Sequence, residues 1–438
     1  MSIKANDIKN ILGKHILADG FEPIIDLKNS KGSWLVDQRD GSKYLDMFSM
    51  YASGAVGYNN PHIVKHKNIL GDISINKTTL SDIYNVYYAE FMEAFSKYAI
   101  PSYLRNAFFI DGGSLAVENA LKTAFDWKKR INMSKGIEVE GNKVIYFKQS
   151  FHGRSGYTLT LTNTSDPRKT MYFPKFEWFK MSNPKLLFPL NEQNVEFVKK
   201  QEVEVINGIK ETIKDNKHNI ACIIIEPIQG EGGDNHFRNE FMVELREVCD
   251  ENDILLILDE VQTGIGITGK MWAHEHFSIR PDIISFGKKT QVCGMLASDK
   301  IKSVEKNVFE ESSRINSTFG GNLIDMYRFK LILEIIDKEQ LLLNAETNGK
   351  FLLDKIVSLS NDFPGYVTNP RGVGLFCAFD LPSGVERDNL ISLLMKKHII
   401  ILGSGDNSIR FRPHLNVSKK EIEYVIDAIY SSIKDLLN

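Results

Sequence analysis

The chain has 438 residues, enough for two or three domains around a large core. Its composition, 42% hydrophobic and 25% charged with a formal net charge of -2, is that of an ordinary globular protein and supplies no basic field for nucleic acid or an anionic membrane. Cys222, Cys249, Cys293 and Cys377 show no C-x-x-C pair or metal-ligand spacing, no apolar run nears the roughly 20 residues that span a bilayer, and residues 1–7 lack the apolar stretch of a signal peptide, so a cytoplasmic protein without a bound metal is expected.

In chain order, residues 33–48 place an Asp40-Gly41 turn between two alternating runs, which predicts a hairpin. Residues 63–100 read as helical and carry no evident chemistry. The run from Arg105 to Asp111 reads as a strand and ends in Asp111-Gly112-Gly113-Ser114. A helix follows, with Val117, Leu121, Ala124 and Phe125 at i, i+4, i+7 and i+8. Such a strand, glycine pair and helix start offers free N–H groups and a positive dipole end to a phosphate; a glycine pair capping an ordinary helix is the plainer alternative. The next strand, Lys143 to Phe147, runs into Phe151-His152-Gly153-Arg154. Phe151 can stack on a flat ring and Arg154 can pair with a carboxylate. His152 has no second ligand at a useful spacing and reads as structural. Residues 165–218 read as loop and helix, with a solvated helical face over 191–217.

Three strands then follow in step. The first ends at Glu226-Pro227 and is trailed by Gly230-Glu231-Gly232-Gly233; the second ends at Asp259-Glu260-Val261-Gln262; the third, Asp282 to Phe286, ends at Gly287-Lys288-Lys289. Helices are expected between them, over about 240–250 and again before Asp282. Strands spaced this way form βαβ units, so the sheet is parallel and its C-terminal edge forms a crevice. Glu231, Asp259, Gln262 and Lys288 gather at that rim. A lysine at the mouth of a core loses solvation, which lowers its pKa and frees a nucleophilic amine; the residues alone do not choose Lys288 over Lys289. Gly264-Ile-Gly266-Ile-Thr-Gly269 satisfies a dinucleotide pattern, but five residues separate it from its strand, and no nicotinamide or flavin site is expected there. Beyond Ser317-Thr318-Phe319-Gly320-Gly321-Asn322 lie a helix (326–336) and a smaller alternating tail, with strands near 374–379, 399–402 and 408–413. The early hairpin is expected to pack with this tail.

A lysine nucleophile, a strand-end carboxylate and a glycine-bounded helix start together suit a pyridoxal phosphate site. The stretches Asp259-Glu-Val-Gln262-Thr-Gly-Ile-Gly-Ile-Thr-Gly-Lys-Met-Trp-Ala-His-Glu and Pro281-Asp-Ile, then Lys288, resemble class III aminotransferases of the fold type I pyridoxal phosphate enzymes, over about residues 33–420. The run Lys288-Lys-Thr-Gln-Val-Cys-Gly294, and Ile267 where the class usually has Arg, resemble the L-lysine 6-aminotransferase subfamily.

The resemblance implies an α/β fold with a large domain (61–330) holding a mostly parallel central sheet, and a smaller α/β domain built from both termini (1–60 and 331–438). It implies ping-pong transfer of the terminal amino group of L-lysine to 2-oxoglutarate, giving 2-aminoadipate 6-semialdehyde and L-glutamate through a Schiff base on Lys288. By the same likeness Asp259 pairs with the pyridine nitrogen, Gln262 reaches the ring's hydroxyl side and Phe151 stacks. Gly112, Gly113 and Ser114 hold phosphate, together with Thr318 from the neighbouring subunit of a homodimer. Two carboxylates on 2-oxoglutarate require two cations, for which Arg154 and Arg410 are the candidates; Glu231 would neutralise the spare arginine when lysine binds. Ornithine or 4-aminobutyrate as donor, a racemase or decarboxylase using the same cofactor, and a non-catalytic relative are the alternatives.

Overall fold

The computed structural model describes residues 3–438. Among these residues, fourteen strands form three sheets. The hairpin predicted at the start is present as β1 (Trp34–Val36) and β2 (Lys43–Asp46), in antiparallel register Trp34↔Leu45, with Gly41 at φ +80° in the turn.

The central sheet takes β3 (Asn106–Ile110), β4 (Lys143–Phe147), β5 (Phe179–Met181), β6 (Ile220–Ile225), β7 (Leu255–Asp259), β8 (Ile283–Phe286) and β9 (Cys293–Ala297), in the order β3-β9-β8-β7-β6-β4-β5. β5, β4, β6, β7 and β8 pair in parallel; β9 runs antiparallel to both β8 and β3. Every residue of β6, β7 and β8 is buried, as strands covered on both faces must be. The two-residue period divides them between two cores. Cys222, Ile224, Leu255 and Ile257 meet Val117, Leu121 and Ala124 of the Gly113–Ser134 helix. Ile223, Ile225, Leu256 and Leu258 face Phe241 and Leu245 of the Asn239–Glu251 helix. The Glu192–Asp215 helix is solvated on one face only; Val205, Ile206 and Ile209 of the other are buried.

One expectation needs correction. No α-helix joins β7 to β8: a compact turn ending in a short 3-10 helix (Ala273–His276) does. The buried Glu260 carboxylate gathers its donors, accepting from Thr263 Oγ1 (2.5 Å), Ala273 N (3.0 Å) and His274 N (2.7 Å), while Gly266 and Gly269 supply φ of +87° and +86°. Lys288–Thr290 is a 3-10 turn leading straight back into β9, so Lys288 sits in a hairpin connection.

The tail holds β10 (Thr368–Val373), β11 (Phe376–Asp380), β12 (Ile399–Ile400), β13 (Leu402–Ser404) and β14 (Ser408–Phe411). An antiparallel sheet runs β10-β11-β14-β13, and β12 joins the early hairpin by pairing in parallel with β2 at Ile399↔Leu45. The hairpin therefore pairs with the tail through β12. One core cluster contains both Leu256 of the central sheet and Phe411 of β14, so no apolar gap separates the two parts.

Candidate active site

The C-terminal ends of β6, β7 and β8 open onto a cavity of about 310 Å³. Eight residues singled out from the sequence line it: Gly113, Ser114, Phe151, Arg154, Glu231, Asp259, Gln262 and Lys288. Gly112 directly precedes the lining. Arg410 stands behind Glu231, and Thr318 lies exposed in a loop away from this cavity.

Lys288 is half-buried, with its backbone in the left-handed region at φ +55°. Burial, reinforced by the Arg410 cation and opposed by Glu231, lowers its amine to about 8. Lys289 is 1% exposed, does not line the cavity, and its Nζ has no hydrogen-bond partner among the described residues. Burial, with Lys288 next to it, drives its pKa well down too.

Asp259 ends β7 with both oxygens engaged. Oδ1 accepts from Ser285 Oγ (3.0 Å) and Val261 N (3.1 Å), and Oδ2 lies 2.7 Å from His152 Nδ1. His152 is thus a structural partner of this carboxylate, as its sequence context suggested. Glu226 also lines the cavity, though the sequence reading gave it no role. It accepts from Phe151 N (2.9 Å) and Gly230 N (3.1 Å), tying two site loops to β6. Burial, with Asp259 adding to it against the pull of His152, raises its carboxyl to about 7.

The Gly113–Ser134 helix begins with Gly112 at φ +105°, without a side-chain cap and without an acid in its first turn. Its leading N–H groups are left for an external acceptor. Ser114 Oγ meets Ser155 Oγ (2.5 Å) and Thr158 Oγ1 (2.7 Å), and Ser155 Oγ donates to Glu118 (2.6 Å). The hydroxyls fix the loop after Arg154 beside the helix start. Gly153 makes this approach possible, since a Cβ there would lie 2.2 Å from Ser114 Oγ.

Three charged contacts close the far side. Arg410 Nη1 stands 2.9 Å from Glu231 Oε2, yet neither Nη1 nor Nε makes a hydrogen bond among the described residues. A buried guanidinium with unspent donors is a ready carboxylate receptor. Lys169 Nζ donates to Glu231 Oε1 at 2.6 Å, a partner hidden in a stretch read as loop and helix without chemistry. Burial pushes the Glu231 carboxyl up, but Arg410 and Lys169 outweigh it and hold its pKa below the ordinary value. Gln262 Oε1 accepts from Arg412 Nε (3.0 Å); because a guanidinium only donates, this fixes the amide and leaves its NH2 for the cavity. Arg154 is exposed and pairs with no carboxylate among the described residues. Gly266 and Gly269 of the dinucleotide-like pattern abut Leu342 and Glu346 and are remote from the rim.

An uncapped helix start for an anion, a neutralisable lysine and a carboxylate fixed at both oxygens suit pyridoxal phosphate by charge and donor type. A profile of the class III aminotransferases matches residues 17–433, and the chain belongs to that pyridoxal-phosphate-dependent family. It is 46% identical over 430 residues to the L-lysine-epsilon aminotransferase of Mycobacterium tuberculosis, covering 97% of this chain and 95% of that one. It is 32% identical over 415 residues to the mitochondrial 4-aminobutyrate aminotransferase of Sus scrofa, covering 89% and 80%. A solved structure of lysine aminotransferase from M. tuberculosis superposes with a TM-score of 0.96 at 45% identity over 99% of both chains.

Proposed function

We propose that this enzyme transfers the terminal amino group of L-lysine to 2-oxoglutarate, forming 2-aminoadipate 6-semialdehyde and L-glutamate in two half-reactions. The observation that carries this reading is the Arg410–Glu231 pair at the cavity wall, since one pocket must accept both a mono- and a dicarboxylate. The higher identity to the lysine-specific relative than to the 4-aminobutyrate one supports lysine as donor.

Bound pyridoxal phosphate supplies an electron-withdrawing ring that stabilises negative charge at the carbon bearing the transferred nitrogen. Lys288 Nζ would hold the cofactor covalently and, as a free amine, would carry the proton between the two carbons flanking that nitrogen. Asp259 would keep a proton on the pyridine nitrogen, Phe151 would cover the ring, and the free Gln262 amide would donate to the ring oxygen. The N–H groups after Gly112 and Gly113, with Ser114, would hold the phosphate.

When lysine binds, Arg154 takes its carboxylate and Glu231 keeps Arg410 neutralised. When the diacid binds, Glu231 swings aside and Arg410 takes the second carboxylate. The assembly is a homodimer in which Thr318 reaches the neighbouring phosphate site; its exposure outside its own cavity supports this. Four buried free cysteines support a reducing, cytoplasmic setting. We also infer a large domain over 61–330, with 1–60 joining 331–438 in the smaller one, since all seven central strands lie within the former.

The test is stopped-flow measurement of each half-reaction in the wild type and Glu231→Ala. The variant should lose efficiency with lysine about tenfold or more relative to 2-oxoglutarate, the scale of one unpaired buried charge. Equal effects on both half-reactions would remove the switch, and a faster half-reaction with ornithine or 4-aminobutyrate would reassign the donor.

A further inference from the structure

Glu231 is held by two cations, and only one of them belongs to the substrate pocket. Its Oε2 faces buried Arg410 and its Oε1 accepts from Lys169 at 2.6 Å. Lys169 closes a short 3-10 turn (Pro167–Lys169) that starts at Asp166, and its ammonium lies 5.8 Å from the Phe151 ring centroid. Beyond this pair lies a second, polar cavity of about 560 Å³, lined by Lys169 and Glu231 together with Thr164, Arg387, Gly405 and Asp406. Glu231 thus forms part of the wall between the two cavities. Its backbone is pinned, because Glu231 O accepts from Gly405 N at 3.0 Å, so only its side chain is left to move.

A carboxylate that leaves Arg410 for a dicarboxylate substrate would be half-buried, without its strongest partner and next to a like charge. Such an anion is costly unless a cation travels with it or waits for it. Resting on the reading that Glu231 vacates Arg410, we propose that Lys169 is a specificity-determining positioning residue, which keeps its bond to Glu231 after the switch and draws the displaced carboxylate toward the polar cavity. Lys169 thereby stabilises the diacid-accepting form of the site. In the lysine-accepting form Arg410 still neutralises Glu231, so the enzyme depends less on Lys169 there.

The experiment measures both half-reactions on the holoenzyme by its cofactor absorbance, and the affinity for the unreactive diacid glutarate by calorimetry. The variants are Lys169→Met, Lys169→Arg, Glu231→Ala and the double variant Lys169→Met/Glu231→Ala. Removing the one cation that remains to Glu231 in the diacid-accepting form should raise KM for 2-oxoglutarate and weaken glutarate by about tenfold, with a far smaller rise in KM for lysine, whose form keeps Arg410 on Glu231. Lys169→Arg should restore both values, and in the Glu231→Ala background Lys169→Met should have no further effect. Equal loss for both substrates overturns the proposal. Selectivity that persists without Glu231 overturns it too, since Lys169 would then act on the diacid through its own charge. A selective Glu231→Ala beside an unaffected Lys169→Met would sink this inference alone, whereas a non-selective Glu231→Ala sinks the switch on which it rests.

Discussion

Lys288 and Lys289 are neighbours in sequence with different surroundings. The first faces the cavity with Arg410 and Glu231 nearby; the second is enclosed with no hydrogen-bond partner among the described residues. The turn from β8 into β9 creates that difference, because at φ +55° the Lys288 side chain is directed at the rim. Its amine titrates near 8 against an ordinary 10.5, so the reactive neutral form appears as pH rises through about 8. Reconstitution of cofactor-free enzyme with pyridoxal phosphate should therefore accelerate up to just above pH 8 and then level off. A rate still climbing toward pH 10.5 would show a solvated amine. The rim residues Glu231, Asp259, Gln262 and Lys288 were legible because each directly follows a buried run. Lys169 and Glu226 were not, since their significance comes from partners 62 and 75 residues away.

At the scale of elements, the site depends on backbone conformations that few side chains tolerate. Gly153, at φ +120°, brings the Phe151–Arg154 loop against the Gly113–Ser134 helix start. Gly153→Ala adds strain of about 1–3 kcal/mol and drives a Cβ into Ser114 Oγ. Cofactor affinity, followed by fluorescence titration, should fall about tenfold or more with far-UV dichroism unchanged. Retained affinity would detach Ser114 from the phosphate site. The turn after β2 went unforeseen for a related reason. Ser49, Met50, Tyr51 and Ala52 all hold positive φ (42° to 65°) with no glycine among them. Each costs about 1–2 kcal/mol, and buried Asp46 secures the turn's entry by accepting from Phe48 N (2.9 Å) and Ser49 N (2.7 Å).

Across the whole molecule, a fully buried ion pair joins the C-terminal sheet to the catalytic rim, beside the Arg410–Glu231 pair. Arg412, just past β14, places Nη1 3.0 Å from Asp234 Oδ2 and Nη2 2.5 Å from Oδ1, while its Nε fixes Gln262. Asp234→Ala would strand this cation and should cost about 3–5 kcal/mol, read as a lower urea midpoint at unchanged slope. A shift under about 1 kcal/mol would mean that water enters to replace the carboxylate. Assembly is testable at the same scale. Dimers mixed from a Lys288→Ala chain and a Thr318→Ala chain should recover one intact site and exceed either parent in activity. If Thr318 served its own chain, mixing would restore nothing.

The amino-acid sequence by itself determined the inner strands, the helix after Gly112 and Gly113, the pairing of the early hairpin with the tail, and the family, because burial period and motif register are local properties. Only the tertiary structure decided that β9 returns antiparallel beside β8, that Asp259 closes on His152, and that Glu231 sits between Arg410 and Lys169. Strand direction and ion pairing join residues far apart in the chain, and their energies depend on which distant groups share a low-dielectric pocket.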